Sequence, residues 1–173
     1  GKIAGRATYD ADGALLDLAA SNFIFGRANI NGRPVVASAD DFTVRGGAAD
    51  AALHRKFVQC EAMAHEMQLP LIRMIDGTGG GGSVKTLEDM GYTYIPHVPG
   101  WDHIITNLDT VPVVALSLGP TAGLGAARVV ASHYSVMVRG LSQLFAAGPA
   151  VAAAIGDTLD REELGGVEVH ARN

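Results

Sequence analysis

Three residues at or just after the segment 119–123, Gly-Pro-Thr-Ala-Gly, are suited to chemistry that uses backbone amides: Ala122, Gly123 and Leu124. The small residues that follow, at 124–131, predict a helix that begins at the glycines. The first amides of a helix have no partner within it and lie at the positive end of its dipole, so they can hold an anion or a developing oxyanion. The alternative is that the glycines only let a helix pack closely behind a strand.

A second glycine-rich segment, Asp-Gly-Thr-Gly-Gly-Gly-Gly-Ser at 76–83, follows the apolar run 71–75. Three of its glycines fit the Gly-x-Gly-x-x-Gly pattern of dinucleotide-binding proteins: Gly77, Gly79 and Gly82. An NAD-binding oxidoreductase is therefore an alternative. Against it, four consecutive glycines match many patterns, and a proline-broken segment stands where a long helix should follow. Lys85 comes too late for a phosphate-binding Gly-Lys-Ser/Thr motif.

The pair Gly46-Gly47 precedes apolar residues that recur on one helical stripe: Leu53, Phe57, Cys60, Ala64 and Met67. We predict a helix here, with Cys60 in the core and with Arg45 and Lys56 beside the helix start. Three polar residues are placed on the opposite, exposed side: His54, Glu61 and His65. The last two are four apart, as in some metal sites, but such pairs on an exposed face are usually solvated, so we predict no metal.

The composition narrows the possible function classes. The 173 residues are 48% hydrophobic and carry a net charge of −5, without a run of lysines or arginines. They fit one globular domain with a sizeable core and disfavour a nucleic-acid surface. The single cysteine excludes a disulfide scaffold and a multi-cysteine zinc ribbon. No apolar run is long enough to span a bilayer and no secretory pattern is visible, so we expect a soluble, cytoplasmic protein.

Strands and helices alternate around these segments, which predicts an α/β fold with parallel strands. A hairpin is expected at Asn31-Gly32 and another turn at Asp10–Gly13. Other predicted strands are 71–75, 111–118, 134–138 and 143–146, and other predicted helices are 101–108, 149–155 and 160–164. Because ligands in such folds bind beyond the carboxyl ends of the strands, we expect the two glycine segments to face one crevice.

Six short motifs occur in order along most of the chain after Phe23. They are Gly-Arg-Pro-Val-Val at 32–36, Asp-Phe-Thr-Val at 41–44 with Gly46-Gly47, Asp76 before a glycine loop, Gly-Pro-x-Ala-Gly at 119–123, Phe-x-x-Gly-Pro at 145–149 and Glu-Leu-Gly-Gly at 163–166. Each motif is short, but their combination in this order is specific. Together they resemble the carboxyltransferase β subunits of biotin-dependent acyl-CoA carboxylases, in the crotonase-like superfamily.

The resemblance implies a single-domain crotonase/ClpP-like β-β-α superhelix that forms the acyl-CoA-binding, N-terminal half of a longer subunit. In the family, the amides that match Gly123 and Leu124 hold the thioester oxygen as an enolate forms. The positions assigned to substrate binding are Gly46, Gly47, Arg45, Lys56, Asp76, Gly79, Gly80 and Ala122. Among these, Arg45 and Lys56 are expected at the CoA phosphates.

The resemblance also implies partners. Carboxybiotin, on a separate biotin carboxyl carrier protein, is expected to supply the carboxyl group, and a biotin carboxylase subunit to charge it. The full subunit is expected to form a trimer or hexamer, in the mitochondrial matrix if the source is eukaryotic. Because the biotin-facing half is missing, we expect the chain to bind acyl-CoA weakly and to turn nothing over by itself.

Two departures from the family pattern concern the expected acyl pocket. The family has Ala-Arg and Gln-Glu-Gly after the first glycine pair, whereas this chain has Gly-Gly-Gly-Gly-Ser-Val-Lys at 79–85, and Leu124 replaces the second glycine of the elbow. Two other functions remain possible. One is a ClpP-like serine protease, although the expected nucleophile position falls in Gly123-Leu-Gly125. The other is an assembly module that associates through the apolar segment 145–155.

Overall fold

A six-stranded sheet with helices packed on it forms the centre of the molecule. The computed structural model describes residues 5–47, 54–77, 87–88, 91, 100–156 and 158–172. The strands are β1 (Gly5–Tyr9), β2 (Leu15–Ala20), β3 (Phe23–Ile30), β4 (Arg33–Asp40), β5 (Leu71–Gly77), β6 (Val113–Ala122), β7 (Tyr134–Met137) and β8 (Gln143–Phe145). The helices are α1 (His54–Met67), α2 (Trp101–Thr110), α3 (Leu124–Val130), α4 (Pro149–Ala154), α5 (Arg161–Gly165) and α6 (Val167–Ala171), with a 3-10 turn at Arg45–Gly47.

Two hairpins open the chain, as the turn residues predict. Strands β1 and β2 form a separate antiparallel pair. Strands β3 and β4 pair from Phe23↔Asp40 to Ile30↔Arg33 around Asn31-Gly32. Asn31 and Gly32 have φ values of 52° and 82°, the left-handed conformations that a two-residue hairpin turn requires.

The remaining strands of the large sheet are parallel, which confirms the predicted α/β class. The order is β3-β4-β5-β6-β7, and β8 pairs with the end of β6. Neighbouring strands are in register at Val36, Leu71 and Val113. The carboxyl ends of β4, β5 and β6 therefore meet at one edge of the sheet.

Strand β6 differs from the prediction, which ended it at 118 and made the Gly-Pro-Thr-Ala-Gly segment a turn. The strand continues to Ala122 because β8 arrives beside it, with Pro120 opposite Gln143 and Ala122 opposite Phe145. The chain therefore turns only at Gly123, directly before α3.

The core has two parts, both on one face of β5, where Leu71, Arg73 and Ile75 alternate inward. Leu71 packs with α1 and β3 in the first part: Phe23, Val36, Cys60, Ala64, Val111 and Val113. Ile75 packs with α3 and β8 in the second: Ala115, Ala126, Val129 and Leu144. Arg73 lies between them and is completely buried.

The structure partly corrects the predicted faces of α1. Cys60 and Ala64 are buried as predicted, but Met67, at the end of the stripe, is 41% exposed. Glu61 was placed on the exposed side, and it is instead 1% exposed because it pairs with the buried Arg73. Leu53 lies outside the described residues. Among the described helices, none is long and apolar enough to cross a bilayer.

Candidate functional site

Three glycines from different segments meet around Asp76 at the carboxyl end of the sheet. A Cβ atom on Gly47 would overlap the Asp76 backbone carbonyl, and one on Gly119 would overlap the Asp76 carboxylate. A Cβ on Gly77 would lie 2.7 Å from the carbonyl oxygen of Gly46. The structure therefore brings Gly47 into contact with Asp76, and Gly46 into contact with the neighbouring Gly77, at distances that only glycine allows.

The elbow between β6 and α3 lies beside this contact, since Gly77 is opposite Thr121 in the sheet. Gly123 has φ 58° and ψ −124°, a backbone conformation that is accessible essentially only to glycine. The Gly123 amide donates to the carbonyl of Phe145 at 3.1 Å, and the helix starts with the bond from Ala127 to the Gly123 carbonyl at 3.0 Å. The Leu124 amide has no acceptor within the part of the chain that the structure describes.

The carboxylate of Asp40 lies close to Asp76, next to the glycines. The Asp76 amide donates to Oδ2 of Asp40, at the end of β4, at 3.3 Å. Burial, and secondarily the negative charge of Asp40, raise the pKa of the Asp76 carboxyl above its usual range. Oδ1 of Asp76 is buried and has no hydrogen-bond partner among the described residues. Asp76 therefore holds its proton more tightly than an exposed aspartate does.

Arg128 of α3 pairs with the Asp40 carboxylate. Its Nη1 lies 3.2 Å from both Oδ1 and Oδ2 of Asp40, and its side chain is 6% exposed. The guanidinium lies over the rings of Phe23 and Phe57, at 5.4 and 5.0 Å from their centroids, within the range of cation–π attraction. The sequence analysis did not single out Arg128. A helix of small residues does not indicate which residues it packs against.

A second buried ion pair lies deeper in the core. Nε and Nη2 of Arg73 donate to the two carboxylate oxygens of Glu61, each at 2.9 Å, and Asn107 donates to Glu61 at 3.0 Å. Nη1 of Arg73 donates to the carbonyls of Arg128 and Ala131, at the carboxyl end of α3. Arg73 therefore satisfies the last turn of α3, where a cation is favoured by the helix dipole.

The structure places other predicted residues less directly. Nζ of Lys56 donates to the carbonyl of Phe23 at 2.9 Å. Arg45 lies in the 3-10 turn before Gly47, and Gly79 and Gly80 lie outside the described residues.

Burial, then the charge of Glu61, raise the pKa of the Cys60 thiol to about 12, so Cys60 is a neutral core residue. Among the described residues, no group of three or more His, Cys, Asp or Glu could hold a metal.

The chain matches the family model described as the carboxyl transferase domain over residues 7–173. It is 31% identical to a probable biotin-dependent acyl-coenzyme A carboxylase beta2 subunit from Mycobacterium tuberculosis, over 94% of this chain and 32% of that protein. It is 30% identical to the methylmalonyl-CoA decarboxylase subunit alpha of Veillonella parvula, over 89% of this chain and 30% of that protein. The chain thus spans about a third of the length of these relatives.

Solved structures show the same similarity. The beta subunit of geranyl-CoA carboxylase from P. aeruginosa superposes with a TM-score of 0.75 at 26% identity, over 88% of this chain and 28% of that one. The transcarboxylase 12S structure, titled as a hexamer assembly with hydrolysed methylmalonyl-coenzyme A bound, superposes with a TM-score of 0.69 at 28% identity. It covers 86% of this chain and 29% of that one. These similarities favour the carboxyltransferase prediction over the oxidoreductase and protease alternatives.

Proposed function

The chain belongs to the carboxyl transferase domain family, and from that premise we propose that it is the acyl-CoA-binding part of a biotin-dependent carboxyltransferase. The reaction moves a carboxyl group from carboxybiotin to the α-carbon of an acyl-CoA, through an enolate that backbone amides stabilise. The assembly-module alternative remains the second candidate, since the apolar residues Val151 and Ile155 of the predicted assembly segment 145–155 are 56% and 84% exposed.

The observation that carries this proposal is the Leu124 amide at the start of α3, beside the contact of Gly47, Asp76 and Gly77. Removing the α-proton of a thioester places negative charge on its carbonyl oxygen. One positioned amide donor stabilises such a charge by roughly 3 kcal/mol. The Gly123 amide already donates to Phe145, so in this proposal Gly123 shapes the elbow and Leu124 supplies the donor.

The remaining predicted residues form the surroundings of the bound CoA ester. Gly46, Gly47 and Asp76 form one wall, and Ala122 leads into the elbow. Lys56 has three N–H donors and uses one of them on Phe23, which leaves donors for a CoA phosphate. Arg45 at the phosphates and Gly79 and Gly80 at the acyl group remain predictions from the family resemblance.

The carboxyl group comes from a second substrate that a partner protein carries. Carboxybiotin on a biotin carboxyl carrier protein releases CO2, the biotin anion takes the α-proton, and the enolate attacks the CO2. This chemistry needs no side-chain base in the chain described here. A biotin carboxylase subunit and further copies of the chain are the other proposed partners. Because the chain covers about a third of its relatives, we propose that it binds acyl-CoA but transfers no carboxyl group alone.

Substitution of Leu124 tests the amide directly. Leu124→Pro removes the N–H at the first position of a helix, where proline is tolerated, and Leu124→Ala removes the side chain but keeps the N–H. Calorimetry with acetyl-CoA and with free CoA is expected to show tighter binding of acetyl-CoA by the wild type and by Leu124→Ala. Leu124→Pro is expected to bind both compounds equally.

Two results would contradict the proposal. If folded Leu124→Pro keeps the preference for acetyl-CoA, the Leu124 amide does not contact the thioester. If the folded wild-type chain binds neither compound, the assembly-module alternative is favoured instead.

A further inference from the structure

Asp40 connects the two glycine elements of the site. It lies at the end of β4, and its Oδ2 accepts the amide of Asp76, the residue that opens the first glycine segment. The same carboxylate accepts hydrogen bonds from Nη1 of Arg128, and Arg128 belongs to α3, the helix that begins directly after Gly123. A single buried side chain, 5% exposed, therefore contacts both elements.

The Arg128 side chain has little freedom to take another position. It is held over the rings of Phe23 and Phe57 and is almost fully buried. At the other end of α3, Arg73 holds the carbonyls of Arg128 and Ala131. Helix α3 is thus fixed at its carboxyl end by Arg73 and fixed laterally, toward β4, by Arg128.

We propose that Arg128 and Asp40 are positioning residues that set the Leu124 amide at a fixed place relative to Asp76. Seven residues of helix are too short to hold the elbow without lateral contacts, and the Arg128–Asp40 pair supplies one. In this proposal the pair acts through the backbone of α3 and of Asp76, and not through contact with the CoA ester. This inference rests on the proposed function, because it assigns the pair a role in placing the amide that receives the thioester oxygen.

If the pair positions the Leu124 amide, removing the pair should weaken the binding of acetyl-CoA and leave the binding of free CoA unchanged. Free CoA lacks the thioester oxygen, so its affinity does not depend on where the Leu124 amide lies. The measured quantity is therefore the ratio of the two dissociation constants, Kd for free CoA over Kd for acetyl-CoA, determined by calorimetry on folded samples of the full chain.

The variants separate positioning from stability. Asp40→Asn removes the charge from the carboxylate that contacts both elements. The double variant Asp40→Asn/Arg128→Gln removes both buried charges, so it avoids the unpaired charge that could unfold a single variant. The control is the double variant Arg139→Gln/Glu168→Gln, which also removes one ion pair, but an exposed pair outside α3.

We expect the ratio to fall about fivefold, toward one, in Asp40→Asn and in the double variant Asp40→Asn/Arg128→Gln, since the lost contact is one hydrogen bond to an uncharged thioester oxygen. The ratio should stay within twofold of wild type in Arg139→Gln/Glu168→Gln. The amide resonances of Asp76 and Leu124 are expected to move together in the first two variants only. A wild-type ratio in folded Asp40→Asn/Arg128→Gln would overturn the positioning role and leave the proposed function intact. A ratio of one in the wild type would overturn both.

Discussion

The two buried arginines of this molecule differ in how completely they are paired. Arg73 uses Nε, Nη1 and Nη2, with two bonds to Glu61 and two to backbone carbonyls. Arg128 uses Nη1 alone, and its Nε and Nη2 are buried without a partner among the described residues. Fully satisfied networks stabilise and specify a core, whereas incomplete ones cost stability and recur at functional sites. In the Arg73 cluster, only Oδ1 of Asn107 lacks a partner among the described residues, so this cluster is nearly satisfied core structure. We assign the less complete Arg128 cluster to the proposed site.

The largest expected effect comes from breaking the Arg73 cluster. Arg73→Met leaves Glu61 buried without a counter-charge and frees the carbonyls at the end of α3, so we expect a loss of about 3–5 kcal/mol in the free energy of unfolding. Urea unfolding followed by circular dichroism measures it. Arg161→Met, at an exposed position of α5, is the control and should change stability by less than about 0.5 kcal/mol.

Arg128→Met should cost less, about 2–4 kcal/mol. It also leaves a buried carboxylate, Asp40, without its counter-charge and removes the contacts with two aromatic rings. Asp40 keeps the Asp76 amide as a donor, however, and no backbone carbonyl of α3 loses its partner. The same urea experiment compares the two variants. A loss for Arg128→Met that equals or exceeds the loss for Arg73→Met would show that the incomplete pairing does not lower the contribution of this cluster, and the contrast between the two arginines would be wrong.

A third prediction tests the close backbone contact beside the Arg128 cluster. Gly47 has φ 66°, and a Cβ there would overlap the Asp76 carbonyl, which is backbone and cannot rotate away. We expect Gly47→Ala to cost about 1–3 kcal/mol through overpacking, in addition to the strain of the left-handed conformation.

Gly13→Ala is the matched control for this prediction, because Gly13 has φ 84° but no atom within 4 Å of the added Cβ. Thermal unfolding of both variants separates the two costs. Equal losses would mean that the backbone at Gly47 and Asp76 moves apart easily, and that the contact is not a rigid part of the site.

The sequence predicted the local features of this fold and missed the long-range pairs. The hairpin at Asn31-Gly32 and the edge where the glycine segments meet follow from turn chemistry and from the geometry of parallel strands. The Arg128–Asp40 pair joins residues 88 positions apart, and nothing near Arg128 in the sequence indicates its partner. Glu61 was predicted to be exposed because helical periodicity does not show that an arginine of β5 lies beneath it.

The end of β6 was missed for a related reason. The sequence Gly-Pro-Thr-Ala is typical of a turn, and only the arrival of β8 beside it makes it a strand. The contact of Gly47 with Asp76 was likewise not predictable from spacing, although the two glycine segments were expected to face one crevice. In this molecule, therefore, sequence patterns predicted that the two glycine segments lie at one edge of the sheet, and the ion pairs beside them required the tertiary structure.

The smallest expected effect concerns the charge of Asp76. Because burial and then Asp40 raise the pKa of this carboxyl in the folded state, the folded chain binds its proton more tightly than the unfolded chain does. The contribution of Asp76 to stability is therefore most favourable below the usual pKa range of aspartate, and it is lost as the pH rises through the raised pKa. Asp76→Asn carries no such charge, so it should be more stable than wild type at pH 7, and this gain should disappear in acid.

Urea unfolding of both proteins between pH 3 and pH 8 measures this difference, with Asp12→Asn, on the exposed turn between β1 and β2, as the control. A difference that is independent of pH would show that the Asp76 charge is well solvated.

Site residues are often kept at a cost in stability. If Asp76 forms the wall of the acyl pocket as proposed, the more stable Asp76→Asn chain should therefore bind acetyl-CoA more weakly. Higher stability with unchanged affinity would remove Asp76 from the site and leave it as a strained neighbour of the Arg128 cluster.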